Sequence, residues 1–376
     1  MTPESGTRPS IERIAVLGLG NVGGLIADML SERGFDVQGI DADGGRAADS
    51  RAVVLDVTDP EATADLFAGV DAVVSCLPYY LNAGVAAAAD SAAIHYLDLT
   101  EDVPTSQVIR QLAKNGTSAF IPHCGLAPGF ICMVGASLAA TFDRVDRIAL
   151  RVGALPRNPN TGLAYACNWS PAGVINEYLK PCEQLHDGEH VTIASLSELE
   201  TIVIDGTRYE AFTTSGGLGT MYETFAGRVD RLDYKTVRYP GHCELMRFLL
   251  HELRLGTKPQ LAQELLVAAC PPVRDDLVVV YAAVEGAQDG GVRREQFVRT
   301  YRPREIGGAV RTAIAWTTAA GAVGMLELLT QGALPPSGLI RQEDVSLEAF
   351  LQTSAGRLLA DECSNARSDE TPVPIG

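Results

Sequence analysis

The sequence predicts an α/β protein in two parts: a doubly wound parallel sheet, then an α+β domain built on one mixed or antiparallel sheet. Three observations carry this reading. From residue 11 to about 121, short apolar runs alternate with helix-like stretches, the rhythm that sets parallel strands beside crossover helices. After GLAPGF (125–130) the rhythm stops and strand-and-turn segments take over. At 376 residues and 39.9 kDa the chain also exceeds the usual size of one compact domain.

The elements follow in order. IERIAVLG is the first strand and NVGGLIADMLSERG the first helix; FDVQGID and RAVVLD are the next two strands. PEATADLFAG is a helix, DAVVSCL the fourth strand, and an Ala-rich helix starts at Leu81. IHYLDL, the helix VPTSQVIRQLAKNG and SAFIP complete six strands. These strands are short and apolar nearly throughout, as strands buried on both faces must be. Gly34, Gly69 and Gly116 stand where helices should end. Beyond Phe130 come an apolar helix to Ala140, the strand RIALRVGAL, an Asn/Pro-rich loop, and the strand segments HVTIAS, ETIVID and RYEAF. Helical periodicity returns at 243–255 and 260–269, and DDLVVVYAAVEG with EQFVRTYRP alternates like a hairpin. Residues 307–329 read as a buried helix that packs back on the first domain. The expected division is a cofactor domain over 1–125, completed by the helix near 307–330, and a substrate and dimerisation domain over 126–306. Residues 331–376 form a C-terminal segment whose end is expected to be disordered.

Apolar residues at 46% and charged residues at 20% suit a buried core. The balance of 30 Lys and Arg against 47 Asp and Glu gives −17, which opposes binding to phosphate backbones or anionic membranes. Neither nucleic acid nor a membrane is an expected partner. Eight scattered cysteines show no CxxC pair and no zinc-ligand spacing, so reduced thiols and no metal site are expected. MTPESGTRPS lacks the basic start and apolar stretch of a signal peptide, and no run of about eighteen uncharged apolar residues offers a membrane span. A cytoplasmic protein is the expectation.

Gly18, Gly20 and Gly23 form G-x-G-x-x-G between an apolar strand and an amphipathic helix opened by Asn21 and Val22. The first glycine permits a tight turn, the second lets backbone approach a pyrophosphate, and the third lets helix and strand pack closely. The free N–H groups of the helix then face the phosphates. Asp41 lies 21 residues beyond Gly20 at the end of the next strand, where a carboxylate accepts ribose hydroxyls. This is the pattern of a Rossmann domain. The same carboxylate repels a 2′-phosphate, and the nearest arginine is Arg46, so NAD is expected over NADP. Asp56 and Val57 end the third strand, where Asp56 either faces the adenine or caps the helix ahead of PEAT. Cys76, Leu77 and Pro78 end the fourth strand, beside the nicotinamide ribose.

The blocks GLGNVGG (18–24), VVSCLPYYLN (73–82), YLDLTE (96–101), PHCGLAPG (122–129), NWSPAGVINEY (168–178), EAFTTSGGLGTMYET (210–224), YKTVRYPGH (234–242) and LIRQEDV (339–345) resemble the saccharopine dehydrogenase and lysine 6-dehydrogenase family. The resemblance covers residue 14 to about 350. It implies a nicotinamide cofactor, chemistry at a carbon bearing nitrogen, and a substrate domain that supplies homodimer contacts. Motif order and length are closer to the lysine 6-dehydrogenase branch, which oxidises a primary ε-amine, than to enzymes of saccharopine, a secondary amine with three carboxylates. The chain departs from that branch in carrying TSGGL (214–218) where many members carry TDGL, so no acid stands there to hold a substrate ammonium. Oxidation of lysine is the leading expectation, with saccharopine as the alternative substrate and a non-catalytic NAD-binding regulator as the alternative class.

Such chemistry needs a proton acceptor, a water-activating group and a clamp for the remote carboxylate of an amino-acid substrate. Asp98, at the end of the fifth strand, and His123, after the sixth, are the proton-handling candidates. Asp98 can equally be a structural acid, and His123 an interdomain packing residue. Tyr79, Tyr80 and Cys124 border the same cleft; cysteine there is also a common packing residue. In RYPGH, Arg238 and His242 flank a Pro-Gly turn, and the guanidinium can grip an α-carboxylate bidentately unless a structural salt bridge consumes it. Asn168 and Ser215 add polar candidates.

Overall fold

The computed structural model describes residues 11–46 and 52–360; the expected disordered tail lies outside the described residues. Seven parallel strands form the first sheet. They are β1 (Arg13–Leu17), β2 (Asp36–Asp41), β3 (Ala52–Val54), β4 (Ala72–Ser75), β5 (His95–Asp98), β6 (Ala119–Ile121) and, from the far end of the chain, Gly338–Leu339. The spatial order is 3-2-1-4-5-6 with the late strand beside β6, the order of a dinucleotide-binding sheet. Its helices are α1 (Asn21–Glu32), α2 (Pro60–Phe67), α3 (Tyr79–Ser91) and α4 (Val103–Ala113). α3 starts at Tyr79 rather than Leu81, because Pro78 at its N-cap already fixes a φ of −54° that leads into the helix.

The second sheet is mixed. After α5 (Phe130–Ala139) come β7 (Arg144–Pro156), α6 (Pro171–Leu179), β8 (Cys182–His186), β9 (Glu189–Ile193), β10 (Glu200–Ile204) and β11 (Thr207–Thr213). A single turn, α7 (Met221–Thr224), precedes β12 (Arg231–Arg238). The helix expected over 243–255 divides into α8 (His242–Arg247), a wider π turn at Phe248–Glu252 and a left-handed Arg254. α9 (Pro259–Ala269) leads to the hairpin β13 (Asp276–Gln288) and β14 (Gly291–Tyr301). β12 runs parallel to β7, whereas the pairs β11–β12, β7–β13 and β13–β14 are antiparallel.

The expected long helix is shorter than its apolar run. Gly307 and Gly308 take positive φ (62° and 71°) and turn a small hairpin, β15 (Arg304–Ile306) to β16 (Ala309–Arg311). Two consecutive positive-φ residues suit the turn of a two-residue hairpin, a signal present in EIGGAV and read instead as helix. α10 (Ala313–Thr330) starts where the Asp276 carboxylate accepts N–H bonds from Ala313 (2.6 Å) and Ile314 (3.1 Å). By length and composition α10 could cross a bilayer, yet it is buried, and its one charged residue, Glu327, pairs with Arg33, the C-cap of α1, at 2.6 Å. Its Trp316 and Val323 join Ile14 and Leu25 of the first sheet layer and Leu150 and Val280 of the second in one continuous core. That shared core fixes the carboxyl ends of β4, β5 and β6 against the second sheet.

Candidate active site

The glycine loop divides its labour between packing and ligand. Gly18 has φ +84°, and a Cβ there would meet the Cys76 carbonyl oxygen at 2.9 Å; at Gly23 a Cβ would lie 1.8 Å from the Gly18 carbonyl oxygen. Both are demanded by the protein itself. At Gly20 a Cβ would meet nothing within 4 Å, so that glycine leaves open space rather than filling it. Gly20 is also the N-cap of α1 and gives its N–H groups no side-chain acceptor, and no acid follows in the first turn. An uncapped N-terminus beside an open cradle fits a pyrophosphate. The Cys76 thiol, pushed up to about 12 by burial, is no nucleophile.

Asp41 anchors this loop. Its carboxylate is buried and accepts N–H bonds from Leu19 (2.8 Å) and Asp43 (2.9 Å). The fold brings Arg46 to within 3.9 Å of it, closer than the sequence implied. Asp56 neither caps α2 nor is buried. It accepts from Thr58 N (2.9 Å) and Oγ1 (2.8 Å), bonds that hold its carboxyl below the usual range, and the cap of α2 is Asp59. Val57 gives its carbonyl to Thr63 Oγ1 (3.2 Å).

Asp98 and His123 are brought together. Asp98 is fully buried; it accepts from Tyr96 Oη (2.7 Å), Thr100 N (3.1 Å) and His123 N (3.0 Å). Burial lifts it to about 6 against those bonds. These three donors fix Asp98 against the His123 turn. His123 sits at φ +66° with Nδ1 donating to Thr100 O (2.8 Å), which leaves Nε2 as an acceptor. Nε2 is buried with no partner and lines a small cavity with Glu101, Arg110, Gly216, Thr220 and Tyr222. Burial holds this imidazole at about 4, neutral near pH 7. Glu101, half-buried on the same cavity, is lifted to about 7 by burial and by the charges of Asp102 and Asp98.

Across the cleft, Arg238 ends β12. Its guanidinium is 2% exposed, stacks 5.0 Å from the Tyr165 ring centroid, and donates from Nε to Tyr178 Oη (3.0 Å) and from Nη1 to Val237 O (2.9 Å). Among the described residues no carboxylate lies within 4.0 Å of it, so the alternative of a structural salt bridge fails. Tyr178 Oη is in turn 3.1 Å from His242 Nε2, and His242 Nδ1 is 2.8 Å from Leu163 O. One proton order satisfies the chain: Arg238 donates to Tyr178, Tyr178 to His242, His242 to the carbonyl. His242, depressed to about 3 by burial and the nearby guanidinium, stays neutral and braces Arg238 through Tyr178.

Three further candidates have contacts or exposure of their own. Asn168 spends its amide on Val273, donating to the carbonyl (3.0 Å) and accepting from the N–H (2.8 Å), a lock that its neighbours in sequence do not announce. Cys124 is buried and donates to Ile121 O (2.9 Å), as a packing residue does. Tyr80 is 64% exposed, because the early start of α3 turns it outward, while Tyr79 stays half-buried near Glu101 and Asp102. Ser215 remains at the cleft, where its N–H donates to Glu177 O (3.1 Å). Glu101, Glu177 and Tyr178 were missed as site residues: YLDLTE and NWSPAGVINEY contain them, but an acid in the loop before α4 and an acid and a tyrosine on α6 carry no local pattern.

Two family models match the chain: the saccharopine dehydrogenase NADP binding domain over residues 14–119 and the saccharopine dehydrogenase C-terminal domain over 125–358. Curated relatives include the alpha-aminoadipic semialdehyde synthase of Arabidopsis thaliana, 26% identical over 39% of this chain and 14% of the relative. The mitochondrial protein of that name from Bos taurus is 24% identical over 50% of this chain and 21% of its own length. The chain thus spans about a fifth or less of these relatives. Among solved structures, apo histidine-tagged saccharopine dehydrogenase (L-Glu forming) from Saccharomyces cerevisiae matches with a TM-score of 0.70 at 14% identity, over 90% of this chain and 95% of that one. At that identity the likeness is one of fold.

Proposed function

The chain belongs to the saccharopine dehydrogenase family, and from that premise we propose that it oxidises L-lysine at the ε-amine with NAD, giving 2-aminoadipate 6-semialdehyde, which closes to a cyclic imine. The observation that carries this reading is Arg238, a buried cation with no carboxylate within 4.0 Å among the described residues. One such cation suits a substrate with one carboxylate. Saccharopine brings three carboxylates toward Glu101 and Glu177, a like-charge encounter that disfavours it.

When bound, the nicotinamide accepts a hydride from the carbon that carries the nitrogen. The chain's residues prepare that carbon. The amine must be neutral, and a base held at about 4, as His123 is, lies some six units below an ε-ammonium near 10.4. His123 Nε2 therefore orients the amine or a water as a hydrogen-bond acceptor and does not take the proton outright. Glu101, at about 7, is the better-matched proton carrier. Loss of hydride leaves a carbon–nitrogen double bond; water then adds at carbon, and ammonia leaves. Each turnover consumes one ε-ammonium, one water and one NAD and releases the semialdehyde, one ammonium, one reduced cofactor and one proton. Asp41 favours NAD by repelling a 2′-phosphate; Arg46 at 3.9 Å offsets part of that repulsion, so NADP is the cofactor to test beside it.

The test offers lysine, saccharopine and ornithine separately with NAD and with NADP and follows cofactor reduction by absorbance. Reduction with lysine, with ammonium released in equal amount, is the expected result. Reduction with saccharopine alone overturns the reading.

A further inference from the structure

Nine acids are buried in the described chain: Asp41, Asp98, Asp102, Asp233, Asp276, Glu177, Glu210, Glu327 and Glu343. Eight of them have donors of their own. Glu210, for example, accepts from Gly241 N (2.7 Å) and Cys243 N (2.6 Å), and Glu343 from Thr220 Oγ1 (2.8 Å) and Thr224 Oγ1 (2.6 Å). Glu177 differs. Among the described residues no side chain or backbone N–H donates to its carboxylate, and no cation lies within 4.0 Å of it. Only the little solvent that reaches this carboxylate answers it, and an acid so enclosed is a place where a ligand's ammonium would be favoured.

Its position gives that enclosure a purpose. α6 carries Glu177, and the Glu177 carbonyl accepts the Ser215 N–H at 3.1 Å, which pins this acid against the TSGGL turn. One helical turn earlier, Gly173 leaves room for Glu101: a Cβ there would meet Glu101 Oε1 at 2.9 Å. Arg238 acts on Glu177 electrostatically from beyond ion-pair range. The buried, partnerless Nε2 of His123 opens on the small, water-sized cavity that Glu101 lines, so the acid next to Glu177 borders an unanswered acceptor as well.

We propose that Glu177 is an ammonium subsite, set apart from Arg238 so that the two together hold the α-ammonium and α-carboxylate of one amino acid. The spacing between them is then the spacing of a zwitterionic head group, and the side chain of that amino acid extends toward the ends of β5 and β6. Burial and the like charge of Glu101 push the Glu177 carboxyl well up, and a bound ammonium returns it to the ionised form. The proposal rests on the amino-acid reading above and deepens it by naming what grips the head group.

Norleucine and hexanoate differ only by the α-ammonium, and neither needs turnover to report binding. Their affinities for the NADH-loaded protein, measured by calorimetry, should differ by about tenfold to hundredfold in the wild type, the range of a charge-assisted bond. In Glu177→Gln the ratio should fall to near one, with the melting temperature of the ligand-free protein near wild type because the amide keeps the shape of the neutral acid. An unchanged ratio in a folded Glu177→Gln overturns the subsite, as does a wild type that does not distinguish the pair. If Glu177→Gln fails to fold, Glu177→Asp replaces it, and a ratio equal to wild type there overturns the proposal. Lysine oxidation without norleucine discrimination breaks the subsite alone; discrimination without lysine oxidation breaks the lysine reading alone.

Discussion

The two faces of β12 treat buried charge in opposite ways. On one, Asp233 and Lys235 join Arg151 of β7 and Glu200 of β10: Arg151 meets Glu200 at 2.5 Å and Asp233 at 2.5 Å, and Lys235 meets Glu200 at 3.0 Å. Every charge there has its counter-charge. On the other, Arg238 and nearby Glu177 are as deeply buried and have none within 4.0 Å among the described residues. Same strand, same burial, different bookkeeping. The paired cluster locks strands together, whereas the unpaired cleft holds electrostatic demand that a ligand can meet.

The comparison breaks first at Arg151. Arg151→Met removes the cation that Asp233 and Glu200 share and leaves only Lys235 on Glu200 and the longer Arg147 contact (3.7 Å) on Asp233; removing one partner of a buried pair costs about 3–5 kcal/mol. Chemical denaturation should read that loss, and lysine affinity in the surviving folded protein should stay near wild type. A variant as stable as wild type would dissolve the distinction between the two faces.

Next comes Glu101→Gln, which keeps shape and removes the proton carrier. A carboxyl lifted to about 7 is the active base only above that pH, so the wild-type rate should climb through about 7 before the amine's own ionisation adds to it. The variant should lose that lower limb and roughly a hundredfold in kcat. A pH–rate profile that keeps the limb assigns it elsewhere. Smaller again is Arg238→Lys, which holds the charge and loses the planar fork: a rise of about tenfold in the substrate constant, with NAD affinity untouched, is expected.

Legibility in the sequence tracks the same divide. The glycine loop was readable because its requirement is local: Gly18, Gly20 and Gly23 do their work within one turn and one helix start, in chain order. The parallel sheet was readable from six apolar runs for the same reason. The cleft was not, because its meaning lies in what is missing around each charge. Arg238 was found by the Pro-Gly turn beside it, but its brace, Tyr178, stands sixty residues earlier in the chain. Asp98 and Asn168 have residue types that suit catalysis, and the donors around Asp98 and the backbone of Val273 that hold them in place come from positions no local pattern points to. Glu177 has no flanking signal at all; the sequence noted the acid absent from TSGGL, and the fold brings one to that place from α6.

The central claim is that Arg238 is buried for a ligand and not for the fold, and thermal unfolding of Arg238→Met with and without lysine tests it most directly. The account predicts that lysine raises the melting temperature of the NADH-loaded wild type but not of the variant, and that the unliganded variant melts no lower than wild type. A variant that melts several degrees lower and is still stabilised by lysine would contradict it.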